Sequence, residues 1–217
     1  PYEYIKIAEG CSNRCSFCAI PIIRGDHLSF SPDSIYSDAI EAASRGAKEL
    51  IIVAQDIASY SFGSSDLCSL IEKISQIETV EWIRLMYIHP DHLSDKIIKL
   101  IASNEKVVKY IDIPFQHASE KILRSKNKKR RFEKLMKLQQ EISRDSLVKM
   151  VGQKVKILVE EKLDEFHYAG RTEYDAPEVD GVFYLTDEKN KVKINDFCEA
   201  VITDSTEYDL IGEYYDS

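Results

Sequence analysis

The sequence predicts an α/β fold: a partial (β/α) barrel of about four β-α units, followed by a small all-β barrel. Three observations predict it. Over the first 120 residues, apolar strand-like runs alternate with segments whose apolar residues recur at helical spacing. After Gly152 this gives way to five short alternating runs with Gly and Asp turns, in under 70 residues. Charge changes at the same place: residues 151–217 hold 7 Lys/Arg against 17 Asp/Glu, and residues 1–150 hold 22 against 20. The organisation expected is a core over 1–125, a connecting helix over 126–150 and a second domain over 151–217.

Each element has its own warrant. "YIKIAEG" is a half-buried strand that runs into a cysteine-rich loop. "SPDSIYSDAIEAASRG" is a helix with Ser31 as N-cap, Pro32 at the first helical position and Gly46 closing it. "KELIIVAQD" is a continuous apolar run, as a parallel strand covered on both faces requires. Leu67, Leu70, Ile71, Ile74 and Ile77 repeat at helical spacing. "EWIRLMYIHP" is a third strand, "SDKIIKLIAS" a helix capped by Ser94 or Asp95, and "VVKYIDIPFQHAS" a fourth strand. The segment 119–150 has a helical pattern and contains the basic run "RSKNKKRR". "KVKILVEE", "HYAGRTEYDAP", "GVFYL", "FCEAVITDS" and "DLIGEYY" are the five strands of a small antiparallel barrel. In parallel α/β sheets chemistry collects at the carboxyl ends of strands. Here those ends read "EGCSNRCSFC", "AQD", "IHPDH" and "PFQHAS", all polar or ligand-rich.

Five cysteines, three of them crowded together, make a poor disulfide framework and a good metal signature in a reducing compartment, by default the cytoplasm. No apolar run approaches the roughly 20 residues of a membrane helix. The chain opens at Pro1 directly before an apolar strand and reads as an excised piece of a longer protein.

Cys11, Cys15 and Cys18 are spaced C-x3-C-x2-C. Three thiolates so spaced can bind three irons of a [4Fe–4S] cluster and leave the fourth iron open to a small molecule. A structural zinc site needs a fourth protein ligand. His27 or Cys68 could supply it, although neither has a recognisable zinc spacing.

With Phe17 before the last cysteine, this motif after the first strand of a β-α array resembles the radical S-adenosylmethionine enzymes. "GCSNRCSFCAIPIIRG", "VAQDIASYS", "WIRLMYIHP", "YIDIPFQHAS", "RFEKLMKLQQEIS" and "GRTEYDAPEVDGVFYL" resemble the methylthiotransferases of that superfamily, in that order, and most closely the RimO-type branch. The resemblance implies that S-adenosylmethionine chelates the open iron and is cleaved to a 5′-deoxyadenosyl radical. It implies a TRAM domain at the carboxyl end that binds the substrate, and an electron donor such as flavodoxin or ferredoxin. The RimO-type branch adds a methylthio group to the β-carbon of an aspartate in a small-subunit ribosomal protein. Phe17, Gln55, Asp56 and Gln116 stand where such enzymes contact the cofactor. Three features depart from the family. Ser29 and Phe30 replace its Ser-Arg. An amino-terminal domain with three further cysteines and two β-α units after the fourth strand have no counterpart in this sequence. The expectation that follows is a chain that binds a cluster without itself completing methylthio transfer.

Plainer readings stand beside these. Gln55 and Asp56 could be a polar turn at a strand end, and Gln116 and His117 a structural hydrogen-bonding pair. His89 and His92 read as loop residues, the basic run at 124–131 as a solvated helix face, and Cys68 and Cys198 as buried small residues. Glu173, Asp175, Glu178 and Asp180 form an acidic loop suited to a basic ribosomal protein. A module of net charge −10 would be repelled by RNA, which disfavours the transfer-RNA branch of the family. A third reading is an inactive cluster-binding remnant with an intact recognition module.

Overall fold

The structure, a computed structural model, describes residues 1–16, 18–114 and 139–216. It divides into two compact units, Pro1–Phe115 and Gln116–Ser217. The expected boundary at 125/126 and most of the connecting helix lie outside the described residues; 139–148 are helical.

In the first unit the chain order is β1 (Tyr2–Lys6), β2 (Ala8–Glu9), α1 (Ile20–Arg24), β3 (Leu28–Ser29), α2 (Pro32–Ser44), β4 (Glu49–Val53), β5 (Ser61–Phe62), β6 (Ser65–Asp66), α3 (Leu67–Ile74), β7 (Trp82–Leu85) and α4 (Asp95–Ser103). β1, β4 and β7 form a parallel sheet in the order β1-β4-β7. Ile5, Ile7, Leu50, Ile52, Ile83 and Leu85 on one face pack with Ile35, Ala39, Leu70, Ile71, Ile97 and Leu100 of the helices. The continuous apolar run is explained by β4 being the middle strand, with four of its five residues buried. The helix limits follow local chemistry. Ser31 Oγ accepts the Ser34 N–H at 3.2 Å, Pro32 opens α2, and Gly46, at φ +96°, takes the chain away from it. Ser94 caps α4, and Asp66 with Ser69 makes a reciprocal capping box on α3.

Of the expected fourth strand, 107–119, only residues 107–114 are among those described. Beyond β7, residues 107–114 touch the sheet through one parallel bridge, Ile83–Val107, and then through bonds from the Tyr87 and Ile88 N–H groups to Asp112. Among the described residues the parallel sheet has three strands. Tyr87 lies at φ +63°, which turns the backbone out of extended conformation just after β7.

The second unit contains β8 (Lys154–Lys162), β9 (His167–Arg171), β10 (Phe183–Thr186), β11 (Phe197–Ser205) and β12 (Leu210–Tyr214). All five expected strands are present and close into a barrel, β10-β12-β11-β8-β9. The barrel is not wholly antiparallel: β10 and β12 pair parallel, with Phe183 opposite Leu210. Irregularities at Val159/Glu161 in β8 and Ile202/Asp204 in β11 bend the two long strands, as closure of a small barrel requires. Phe183, fully buried, fills the centre beside Ile157, Leu185 and Ile202. Gly212 makes room for it: a Cβ there would stand 2.5 Å from the Phe183 ring.

Candidate cluster and cofactor site

The cysteine loop leaves β2 and returns at β3, and these two strands pair antiparallel, Ala8 with Ser29 and Glu9 with Leu28. The pairing clamps the loop at its base. Inside it, the Cys11 N–H donates to the Gly25 carbonyl at 3.1 Å and the His27 N–H to Ser12 Oγ at 3.0 Å. Gly10, at φ +71°, allows this close approach, because a Cβ would lie 2.3 Å from the Asp26 carbonyl oxygen. The Cys18 N–H closes a tight turn onto the Cys15 carbonyl at 3.0 Å. Cys11, Cys15 and Cys18 are free thiols, half-buried. Phe17 lies outside the described residues, as do Gln116, His117 and the basic run 124–131.

The donor set fits an iron–sulfur cluster. It offers three cysteine thiols from one loop, the ligand type that holds such clusters. Cys68 is buried on α3 in the helix–sheet core, and burial, with Asp66 nearby, pushes its thiol up. Cys198 is half-buried on β11, and burial pushes its thiol up to about 12.

Asp56 follows β4, and its side chain is only 2% exposed. Oδ1 accepts the Ala58 and His89 N–H groups at 3.2 and 3.3 Å. Oδ2 accepts the Ser59 hydroxyl at 2.6 Å, the Asn13 amide at 3.3 Å and the His92 ring through Nδ1. Burial pushes this carboxyl up, but the bonds from Ser59, His92, His89 and Asn13 outweigh it and hold the group below the usual aspartate value. His89 caps the short 3₁₀ turn Pro90–His92 and His92 ends it, with ring centroids 5.1 Å apart. They lie in the loop after β7, as expected, and are not without partners there. Both are tied to Asp56, His89 through its backbone and His92 through its ring. The pair of histidines three apart at a strand's carboxyl end was the only signal in the sequence, and nothing in it pointed to Asp56.

Two polar atoms here are buried without a hydrogen-bond partner: Gln55 Oε1 and His27 Nδ1. An orphaned acceptor at the end of β4 suits an ammonium donor. Burial lowers the His27 ring below its usual value; nearby Asp56 opposes this and His92 reinforces it.

In the barrel unit, two of the four acidic-loop residues build the loop itself. Asp175 Oδ2 accepts the Thr172 N–H at 3.1 Å and its hydroxyl at 2.5 Å, and Asp180 Oδ2 accepts the Ala176 N–H at 2.9 Å. Glu178 and Asp180 are exposed, Glu173 and Asp175 half-buried. Gly181 brings the loop against the turn bearing Glu207 and Tyr208; a Cβ there would lie 1.8 Å from the Tyr208 carbonyl oxygen. Elsewhere on the barrel, Lys156, Lys191 and Lys193 line a cavity of about 420 Å³ with Phe197, Tyr214 and Tyr215. Lys156 lies 4.2 Å over the Phe197 ring and Lys154 3.5 Å over Tyr215, while Lys191 pairs with Asp216. Asp196 and Glu199 line the same cavity.

Two family models match the chain, and they meet at residues 151–152. A family model described as the radical SAM superfamily matches residues 5–152, and one described as the TRAM domain matches residues 151–214. The chain is 34% identical over 294 aligned positions to the ribosomal protein uS12 methylthiotransferase RimO of Thermoanaerobacter sp., covering 98% of this chain and 67% of that protein. It is 52% identical over 126 positions to the RimO of Acetivibrio thermocellus, covering 57% of this chain and 28% of that protein. With 294 aligned positions against 217 residues, at least 77 positions (294 − 217) of the first relative have no counterpart here. A solved radical S-adenosylmethionine methyltransferase, TsrM from Kitasatospora setae, with cobalamin and a [4Fe–4S] cluster bound, aligns at TM-score 0.46 and 15% identity over 56% of this chain and 24% of that one.

Proposed function

Because the chain belongs to the radical S-adenosylmethionine methylthiotransferases of the RimO type, with a TRAM domain behind its radical SAM domain, we propose that it serves the methylthiolation of an aspartate β-carbon in ribosomal protein uS12. The observation that carries the proposal is the clamped loop of three free thiols at the carboxyl edge of the sheet, with the orphaned Gln55 acceptor at the same edge. Cys11, Cys15 and Cys18 would hold a [4Fe–4S] cluster. When bound, the cluster supplies the electron that cleaves S-adenosylmethionine, which a flavodoxin or ferredoxin must replenish. Gln55 Oε1 would accept a hydrogen bond from the methionyl ammonium group. Phe17 and Gln116 are assigned to the same cofactor by the family motif alone.

The TRAM barrel is assigned to the basic ribosomal protein, through Glu173, Asp175, Glu178 and Asp180. Complementary charge favours that partner over RNA. The lysine-lined cavity does not reverse this, because Asp196 and Glu199 line it too and Lys191 pairs with Asp216. Among the described residues no helix is long and apolar enough to cross a membrane, and the cytoplasm is the assigned compartment.

The test is anaerobic reconstitution followed by incubation with reductant, S-adenosylmethionine and either uS12 or transfer RNA. Iron and sulfide near four each per chain, lost in a Cys11/Cys15/Cys18→Ala variant, support the cluster. A methylthio-sized mass gain on a uS12 aspartate supports the substrate and shows that the chain suffices without the β-α units its relatives carry. A gain on a transfer-RNA adenosine instead would move the assignment to the other branch.

A further inference from the structure

We propose that Asp56 is a positioning residue rather than a cofactor contact: it pins the middle of the Cys11–Cys15 segment to β4 and to the turn after β7. The inference rests on the cluster-binding reading above. A carboxylate offers about four lone-pair sites. That of Asp56 receives five donors, from Ala58, Ser59, His89, His92 and Asn13, and is almost wholly buried. No capacity remains for a ligand's ammonium group. The donors come from three segments far apart in sequence, which this carboxylate joins at one point. Asn13 is the informative one. It stands midway between Cys11 and Cys15, and its amide reaches across to Asp56 Oδ2. Its bond sets how far those two thiols stand from the neighbouring Gln55, whose Oε1 is the acceptor left without a partner. His92 and Ser59 support the arrangement from behind: Ser59 Oγ lies 3.0 Å from His92 Nδ1, and both bond the same carboxylate oxygen.

The variants are Asn13→Ala, Asn13→Asp, Asp56→Asn and the reversal Asn13→Asp/Asp56→Asn. In the cluster-free chain, alkylation by iodoacetamide is followed at each cysteine by mass spectrometry. Loss of the Asn13 bond is expected to raise the rate at Cys11 and Cys15 by about threefold through local opening, with Cys198 unchanged. In the reconstituted chain, Asn13→Ala is expected to keep its iron and its circular dichroism. It should bind S-adenosylmethionine about tenfold more weakly, as loss of one hydrogen bond to a charged group implies. The change that S-adenosylmethionine makes in the electron paramagnetic resonance spectrum of the reduced cluster should shift with it. Asn13→Asp places two carboxylates together and should be worse, and the reversal should restore affinity to within about threefold of the parent. Unchanged Cys11 and Cys15 alkylation in both Asn13→Ala and Asp56→Asn overturns the proposal, as does a reversal no better than its single variants. If the parent takes up no cluster while the alkylation pattern holds, the functional reading fails and the positioning role stands.

Discussion

A buried carboxylate stands at each end of the central strand β4, and the two are satisfied in opposite ways. Glu49 begins the strand and is locked to one cation, Arg84 of β7, at 2.6 Å, with both side chains fully buried. The Arg84 guanidinium also lies 4.8 Å from the centroid of the Tyr110 ring. Asp56, three residues beyond the strand, is shared among neutral donors and a histidine from three loops. The first arrangement joins two neighbouring strands through a fully buried ion pair. The second joins loops and spreads its bonds so that each loop is located. This matches the division of labour in β/α folds, where the amino end of the sheet carries stability and the carboxyl end carries chemistry.

The sharpest way to break this comparison is at the amino end. Arg84→Ala leaves Glu49 buried without its cation and should destabilise the first unit by about 3–5 kcal/mol in denaturant unfolding. Replacing both residues with apolar ones of similar volume should recover most of that loss. A cost below about 1 kcal/mol for Arg84→Ala would remove the stability role from the amino end. At the carboxyl end, Gly10→Ala forces a side chain into a φ of +71° and against the Asp26 carbonyl. It should cost about 1–3 kcal/mol, and it should also lower iron per chain after reconstitution, which Arg84→Ala should not do to the fraction that remains folded.

Ser31→Ala removes the α2 cap and should cost about 1 kcal/mol, with iron content unchanged, since Ser31 bonds only its own helix in the contacts described. The smallest effect is a slope. The Asp56 carboxyl is held below its usual value in the folded state, so the unfolded chain takes up this proton first as pH falls. Its contribution is complete above about pH 3.9 and is lost as pH drops through the depressed folded value. Comparing unfolding free energies of the parent and Asp56→Asn below pH 4 should show a shallower acid limb in the variant. His27, whose ring is lowered by burial, acts instead below about pH 6.5, where the unfolded imidazole protonates first. The two windows can therefore be separated in one titration.

What the sequence by itself determined were features that depend on neighbours within a few residues. Ser31, Pro32 and Gly46 bound α2 because capping and positive φ are properties of three or four residues. The five barrel strands were legible from alternation between turns, and the C-x3-C-x2-C loop from spacing alone. Tertiary structure decided the rest. Period-2 alternation says that a strand forms, not which strand it pairs with, so the parallel β10–β12 closure was invisible. The run at 107–114 had the composition of a strand, but composition does not say how far it pairs with β7, which among the described residues is one bridge, Ile83–Val107. Asp56 lies 43 residues from Asn13 and 36 from His92. A carboxylate's partners are set by which loops the sheet brings to one edge, and no local pattern in the chain encodes that convergence.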